Sequence, residues 1–374
     1  MPPTRVHMAR WVLPIASDPL PEGAVARRGG TIVDLGPARA VRLRHPEAEV
    51  VDLGKAILLP GLVNAHSHLS LTGLGGRTPR GAGFLDWLGR TARATRLLEP
   101  AEVRRATREG LDECHRLGTA AVGEIAARPE GVEEILSHPP LRVRVYFEFL
   151  GVSEGRARER FAEARRRALD LAAAAAALGL DRVRPGLSPH APYSVWPTQW
   201  REAADFARDH DLFWTSHVAE PPEEEEFLRQ GTGPLRDYLI GLGVWDGAFP
   251  IPGRPAIEML AEEGALGPRA LLVHAIHLEP GAMARVARSG ASVCLCPRSN
   301  AFLGLPPAPV EALENAGVQL CLGTDAKASN EDLSVWAEMR ALAALAPGIP
   351  AQRILEMATT AGARALGFEG LAGT

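Results

Sequence analysis

The sequence predicts an α/β fold, a (β/α)8 TIM barrel with a small β-sandwich domain formed by the chain ends. Apolar strand-like runs alternate with longer helical segments eight times, the order that a parallel barrel requires. At or just past the end of every run stands a polar residue: His66 with His68, Glu124, Glu148, His190, His217, His274, Arg298 with Asn300, and Asp325. In such a barrel the active site lies at the C-terminal strand ends, so eight decorated ends point to one catalytic face. A length of 374 residues suits one large barrel with a small appendage.

The first part of the chain, residues 1–57, carries strand and turn signals such as TIVDLG and is assigned to the small domain. Residues 58–358 make the barrel. Its strands are read as AILLPGLV, TAAVGE, RVRVYFEF, RVRPGLS, LFWTSH, ALLVHA, ASVCLC and VQLCLGTD. Between them lie helical segments such as AEVRRATREGLDECHRLG and RARERFAEARRRALDLAAAAAALGL; the second is alanine-rich and simply good helix-forming sequence. Residues 359–374 are expected to return toward the small domain.

Composition excludes several classes of function. A hydrophobic fraction of 46%, a charged fraction of 23% and a formal net charge of −4 give no electrostatic footprint for nucleic acid. The N-terminus lacks a basic segment followed by an apolar one, and no apolar run is long enough to span a bilayer, so no membrane partner and a cytoplasmic location are expected. Four cysteines in so long a chain read as buried reduced thiols. A small molecule remains as the expected partner, with a homodimer as one option for assembly.

His66 and His68, two apart in a strand, share a face and can reach one ion. The pair alone also suits polar residues ending a buried strand. Adding His217 from the fifth strand end and Asp325 from the eighth gives three imidazoles and one carboxylate, a set that suits Zn²⁺ with an open position for water.

The segments PGLVNAHSHLSLTG, SPHAPYSV, SHVAEPPEEEEF, LLVHAIHL, CPRSNAFLG and LGTDAKASN occur in this order. Over residues 50–368 the chain thereby resembles the amidohydrolase superfamily, in its deaminase and chlorohydrolase branch. The resemblance implies the barrel, the small sandwich and a hydrolytic metal centre. Similar proteins continue past GFEGLAGT through an ADLVV-like strand, so part of the small domain is expected to be absent here. A two-metal site would need a carbamylated lysine at the fourth strand, but Lys55 and Lys327 are the only lysines and both are misplaced; His190 ends that strand instead. One ion, held by His66, His68, His217 and Asp325, is therefore expected, zinc first and iron as the alternative.

Asp325 and His274 are then expected to position the attacking water and take its proton. Glu220, three residues after His217, is expected to protonate the ring nitrogen beside the attacked carbon and pass a proton to departing ammonia. The acidic run Glu223 to Glu226 reads as a mostly solvated helix start, and His277 as a loop residue beyond the sixth strand. By the resemblance, Trp87 is a candidate lid over the substrate ring, or else a core residue, and His190 contacts a nucleoside. Glu148 faces the same mouth. Arg298 offers a guanidinium fork for a substrate carboxylate, or else forms a rim salt bridge.

Arg96 stands where relatives that act on S-adenosylhomocysteine or methylthioadenosine carry a glutamate. With that departure the sequence looks most like the aminodeoxyfutalosine deaminases of menaquinone synthesis. Deamination of S-adenosylhomocysteine, methylthioadenosine or adenosine, and s-triazine dechlorination, are the alternatives; a catalytically dead barrel would have lost a ligand or Glu220.

Overall fold

The computed structural model describes residues 2–138 and 141–370. The chain divides into a small unit that runs to Gly61 and a large one, Leu62–Glu369. In the small unit, strands β1 (Thr4–Val12), β2 (Leu20–Arg28), β3 (Thr31–Pro37), β4 (Glu49–Asp52) and β5 (Ile57–Leu58) form one mixed sheet in the order β3-β2-β1-β4, with β5 also on β1. Helix α1 (Ala38–Arg44) adds Val41 to an apolar cluster with Val6, Ala24 and Ala26. Of the C-terminal segment assigned to this domain, residues 371–374 lie outside the described residues.

The large unit is a (β/α)8 barrel. Its strands are β6 (Leu62–Ser67), β7 (Thr119–Ala126), β8 (Arg142–Phe149), β9 (Val183–Pro189), β10 (Phe213–Val218), β11 (Ala270–His274), β12 (Ser292–Leu295) and β13 (Gln319–Leu322), each parallel to the next. The run AILLPGLV, read as one strand, is two. Pro60 has no N–H to give a ladder and separates Ile57–Leu58, which pairs with β1, from Leu62–Ser67, which opens the barrel.

Closure joins the last strand to the first. A parallel bridge links Ser67 to Asp325, and the N–H groups of Thr324 and Asp325 both donate to the His66 carbonyl, at 3.1 and 3.0 Å. Beneath, the Asn64 amide donates to Thr324 Oγ1 at 2.7 Å and accepts from Thr324 N at 3.0 Å. Gly323 makes this approach feasible: a Cβ there would lie 2.8 Å from His66 Cβ and 2.7 Å from Cys294 Sγ, inside van der Waals contact.

Helices α2 (Phe84–Leu97), α3 (Pro100–Arg116), α4 (Val132–Ser137), α5 (Glu154–Ala177), α6 (Thr198–Asp209), α7 (Pro222–Gln230) and α8 (Pro234–Gly241) follow the first five barrel strands. α5 buries Ala157, Phe161, Ala164, Ala168, Leu171 and Ala175, the three-and-four spacing of a helix stripe against a sheet. No described helix is long and apolar enough to cross a membrane. All four cysteines are buried and unpaired.

Candidate metal centre and active site

His66 and His68 leave the end of β6 on one face, as period-two geometry dictates, and β10 and the segment after β13 bring His217 and Asp325 to them. One ligand atom from each of the four lies within 4.8 Å of the other three. His68 Nε2 is 3.3 Å from His217 Nε2; Asp325 Oδ1 is 3.4 Å from His68 Nε2 and 3.5 Å from His66 Nε2. Two atoms about 2.1 Å from a common tetrahedral centre stand about 3.4 Å apart, so the spacing fits a shared ion. His66 Nε2 is buried without a hydrogen-bond partner, which an ion bound there would remedy. These residues form a metal-binding group.

The groups behind the ligands fix their orientation. The Nδ1–H of His217 donates to the His190 carbonyl at 2.9 Å, leaving Nε2 to face the centre. Asp325 Oδ2 accepts from Ser299 Oγ at 2.6 Å and from Ser329 Oγ at 2.8 Å, leaving Oδ1 to the ion. Burial works against the Asp325 charge, but the facing His66, His68 and His274 hold its carboxyl well below the usual carboxylate range. Burial, together with the neighbouring His66, pushes His68 down to about 3, so the imidazole is neutral and able to ligate.

Glu220 and His274 face each other beside this set, with Oε1 3.3 Å from Nε2. His274 Nδ1–H donates to Asn300 Oδ1 at 2.9 Å, so Nε2 is the free nitrogen, and burial pushes the ring down to about 4. Burial raises the Glu220 carboxyl well above its usual value, and the charges of Asp325 and Glu224 raise it further. The backbone is left-handed at Ala219, His274, Ala275 and Asp325, with φ of 51°, 72°, 50° and 57°. Strained non-glycine positions of this kind gather at functional sites, and here they fall at or just past the ends of β10, β11 and β13.

Two buried carboxylates support the site, and composition alone does not reveal either role. Glu124, at the end of β7, accepts from Leu69 N at 2.8 Å and from Ser67 Oγ at 3.3 Å, clasping the turn around His68; burial pushes it up to about 8. Glu224 corrects the reading of Glu223 to Glu226 as a solvated run. It is 1% exposed, accepts from Ala219 N at 3.1 Å and holds the turn that carries Glu220. Helix periodicity from Pro222, with Phe227 and Leu228 buried, places Glu224 on the inner face.

The remaining candidates separate. Glu148 and His190 stay with the centre: with His217 they bring three potential ligand atoms within 4.8 Å of one another. Burial alone pushes Glu148 up to about 7 and His190 down to about 4. His190 Nδ1 is 2.7 Å from Ser194 Oγ. Trp87 lies in an apolar cluster with Leu74, Phe84 and Leu303, and its indole N–H donates to the Ala328 carbonyl at 2.8 Å, three residues past Asp325. Arg298 is bound within the chain: Nη1 donates to Asp332 at 2.6 Å, Nη2 to Glu331 at 3.3 Å, and Glu338 lies 3.6 Å away. Of the two anions the sequence allowed for it, these are the internal ones. His277 gives its backbone N–H to the Ala219 carbonyl and sits apart from the His274–Glu220 pair, beside Glu225.

Comparisons with known proteins agree with this geometry. An aminodeoxyfutalosine deaminase of Deinococcus radiodurans is 34% identical over 357 residues, 92% of this chain and 81% of that protein. A 5-methylthioadenosine/S-adenosylhomocysteine deaminase of Halobacterium salinarum is 32% identical over 352 residues, 91% of this chain and 76% of that one. The crystal structure of an adenosine deaminase from Xanthomonas campestris with bound zinc superposes with a TM-score of 0.81 at 27% identity, covering 100% of this chain and 82% of that one. A sequence model described as the amidohydrolase family matches residues 57–374. This chain therefore belongs to the amidohydrolase family, as a hydrolase of C–N bonds in cyclic amidines.

Proposed function

We propose that the chain is a hydrolytic deaminase of adenine nucleosides that holds one zinc ion through His66, His68, His217 and Asp325, with iron as the alternative ion. Its substrate in this reading is 6-aminodeoxyfutalosine, converted to futalosine and ammonia in menaquinone synthesis. The observation that carries the reaction type is the Glu220–His274 pair, 3.3 Å apart beside the ligand set. When bound, the ion supplies Lewis-acid chemistry and lowers the pKa of water toward 7 or so.

The chain's own residues handle the protons. His274 Nε2, kept free by Asn300, and ionised Asp325 receive the proton of the attacking water. Glu220, buried and carrying its proton, gives it to the ring nitrogen beside the attacked carbon. A C–O bond forms at that carbon; the ionised Glu220 takes the hydroxyl proton and passes it to the amino group. The C–N bond breaks as the C=O bond forms, ammonia leaves, and the proton held at His274 and Asp325 returns to Glu220 across the 3.3 Å contact. Glu148 and His190 meet the nucleoside at the mouth, and the anchored Trp87 holds α2 over the ring. The identity to the Deinococcus relative supports aminodeoxyfutalosine; that to the Halobacterium relative supports S-adenosylhomocysteine or methylthioadenosine as the second reading.

Ammonia release by the zinc-loaded protein tests both, across aminodeoxyfutalosine, S-adenosylhomocysteine, methylthioadenosine and adenosine, with a chlorotriazine as outgroup. A wide lead for aminodeoxyfutalosine is expected. A wide lead for another nucleoside would transfer the assignment to it, and no turnover of any nucleoside would overturn the reaction.

A further inference from the structure

Strands β6 and β10 stand opposite each other, four places apart in a ring of eight. The segment after β6 carries α2, and the segment after β10 carries α8. The two helices meet: a Cβ on Gly89 of α2 would lie 3.4 Å from Tyr238 Cε2 on α8 and 3.6 Å from both terminal nitrogens of Arg93. The Tyr238 ring and the Arg93 guanidinium both border that position. A strap of chain thus joins opposite sides of the mouth, and the Trp87 indole pins it to Ala328.

Tyr193 is buried with its ring 5.9 Å from that of His190. Burial holds its phenol well above the usual value, and the charges of Glu220, Glu224, Tyr238 and Glu148 add to that. Tyr238 is half-buried; burial raises its phenol while Arg93 and Arg96 oppose the shift. The one acid on α2, Asp86, pairs with Arg90 at 2.7 Å. Among the described residues no carboxylate lies within 4.0 Å of Arg93 or Arg96.

We infer that Arg93 and the Tyr238 hydroxyl, with Arg96 beside them, form the subsite for an anionic group at the 5′ end of the nucleoside, a carboxylate above all. A planar fork of donors matches a carboxylate in two places at once, and a phenol adds a third donor. Arg298, with its own carboxylates already in contact, leaves that duty to the strap. The inference rests on the nucleoside reading above and adds to it a named determinant of substrate choice.

The test compares kcat/KM for aminodeoxyfutalosine, which bears a carboxylate, with that for methylthioadenosine, which does not, in zinc-loaded wild type, Arg93→Ala, Arg93→Glu and Tyr238→Phe. The ratio of the two constants is expected to fall about tenfold in Arg93→Ala, through KM, and further in Arg93→Glu. A ratio unchanged in both arginine variants, or an equal fall for both nucleosides, would overturn the subsite. Failure of the wild type on both nucleosides would instead overturn the proposed reaction.

Discussion

The Nδ1–H of His274 donates to Asn300 Oδ1 over 2.9 Å, and this one bond decides which nitrogen meets Glu220. Both residues are buried, so water offers no substitute partner. Under the proposed mechanism Asn300 is a positioning residue. Asn300→Ala is expected to lower kcat about 10- to 100-fold with KM little changed, as for other partners that orient a working histidine. An equal loss in kcat and in bound zinc would point to a damaged fold instead.

Glu220→Gln removes the proton and keeps the shape. A fall in kcat of about 100-fold or more is expected, within the range for general acid–base groups, with zinc content intact. Turnover at the wild-type rate would remove Glu220 from the mechanism.

Four ligand atoms converge on one point from three strands. Chelation is expected to abolish turnover and lower the melting temperature, with both restored by added zinc, because an ion that binds only the folded state stabilises it. His217→Ala should match the chelated protein in both respects, which calorimetry and metal analysis would check.

Burial pushes Glu224 up to about 8 from the usual carboxylate range. Above its unfolded pKa, the unfolded chain releases this proton while the folded one keeps it. Folding stability from this group therefore falls as pH rises from about 4.5 to 8. Glu224→Gln keeps an oxygen for Ala219 N and removes the titration, so its stability relative to wild type should improve across that window. Urea unfolding at pH 5 and pH 8 gives the comparison, and a pH-independent difference would contradict it.

Arg298 is 14% exposed and meets a Glu338 that is fully buried. Arg298→Ala should cost roughly 3 kcal/mol, the lower end for removing one partner of a buried pair, since Asn330 still donates to Glu338 at 2.8 Å. Denaturant midpoints measure this, and a cost near zero would mean that the cluster is solvated.

The barrel and the metal ligands were legible because strand periodicity puts His66 and His68 on one face and each strand ends in chemistry. The placement of Glu220 beside His274 was foreshadowed by its position three residues after His217. The role of Glu224 was not, because four successive glutamates look alike until the turn at Ala219 selects the one that points inward. Arg298 carries the same fork whether its anion is a substrate or Asp332, so only tertiary placement separates the two. Trp87 likewise reads as lid or core until the Ala328 carbonyl is seen to take its N–H. The break at Pro60 marked where one apolar run would become two strands.

Closure of the barrel through Ser67 and Asp325 bears on how the protein matures. The ligands come from the first, fifth and last strands, and the seam at Asn64 and Thr324 joins residues 260 apart in sequence. A nascent chain still short of Asp325 holds the histidines without the carboxylate. Such a seam pays its loop-closure entropy late. High-affinity zinc uptake would then report a finished ring, and a protein arrested before closure would be distinguishable from the native enzyme by its failure to retain the ion.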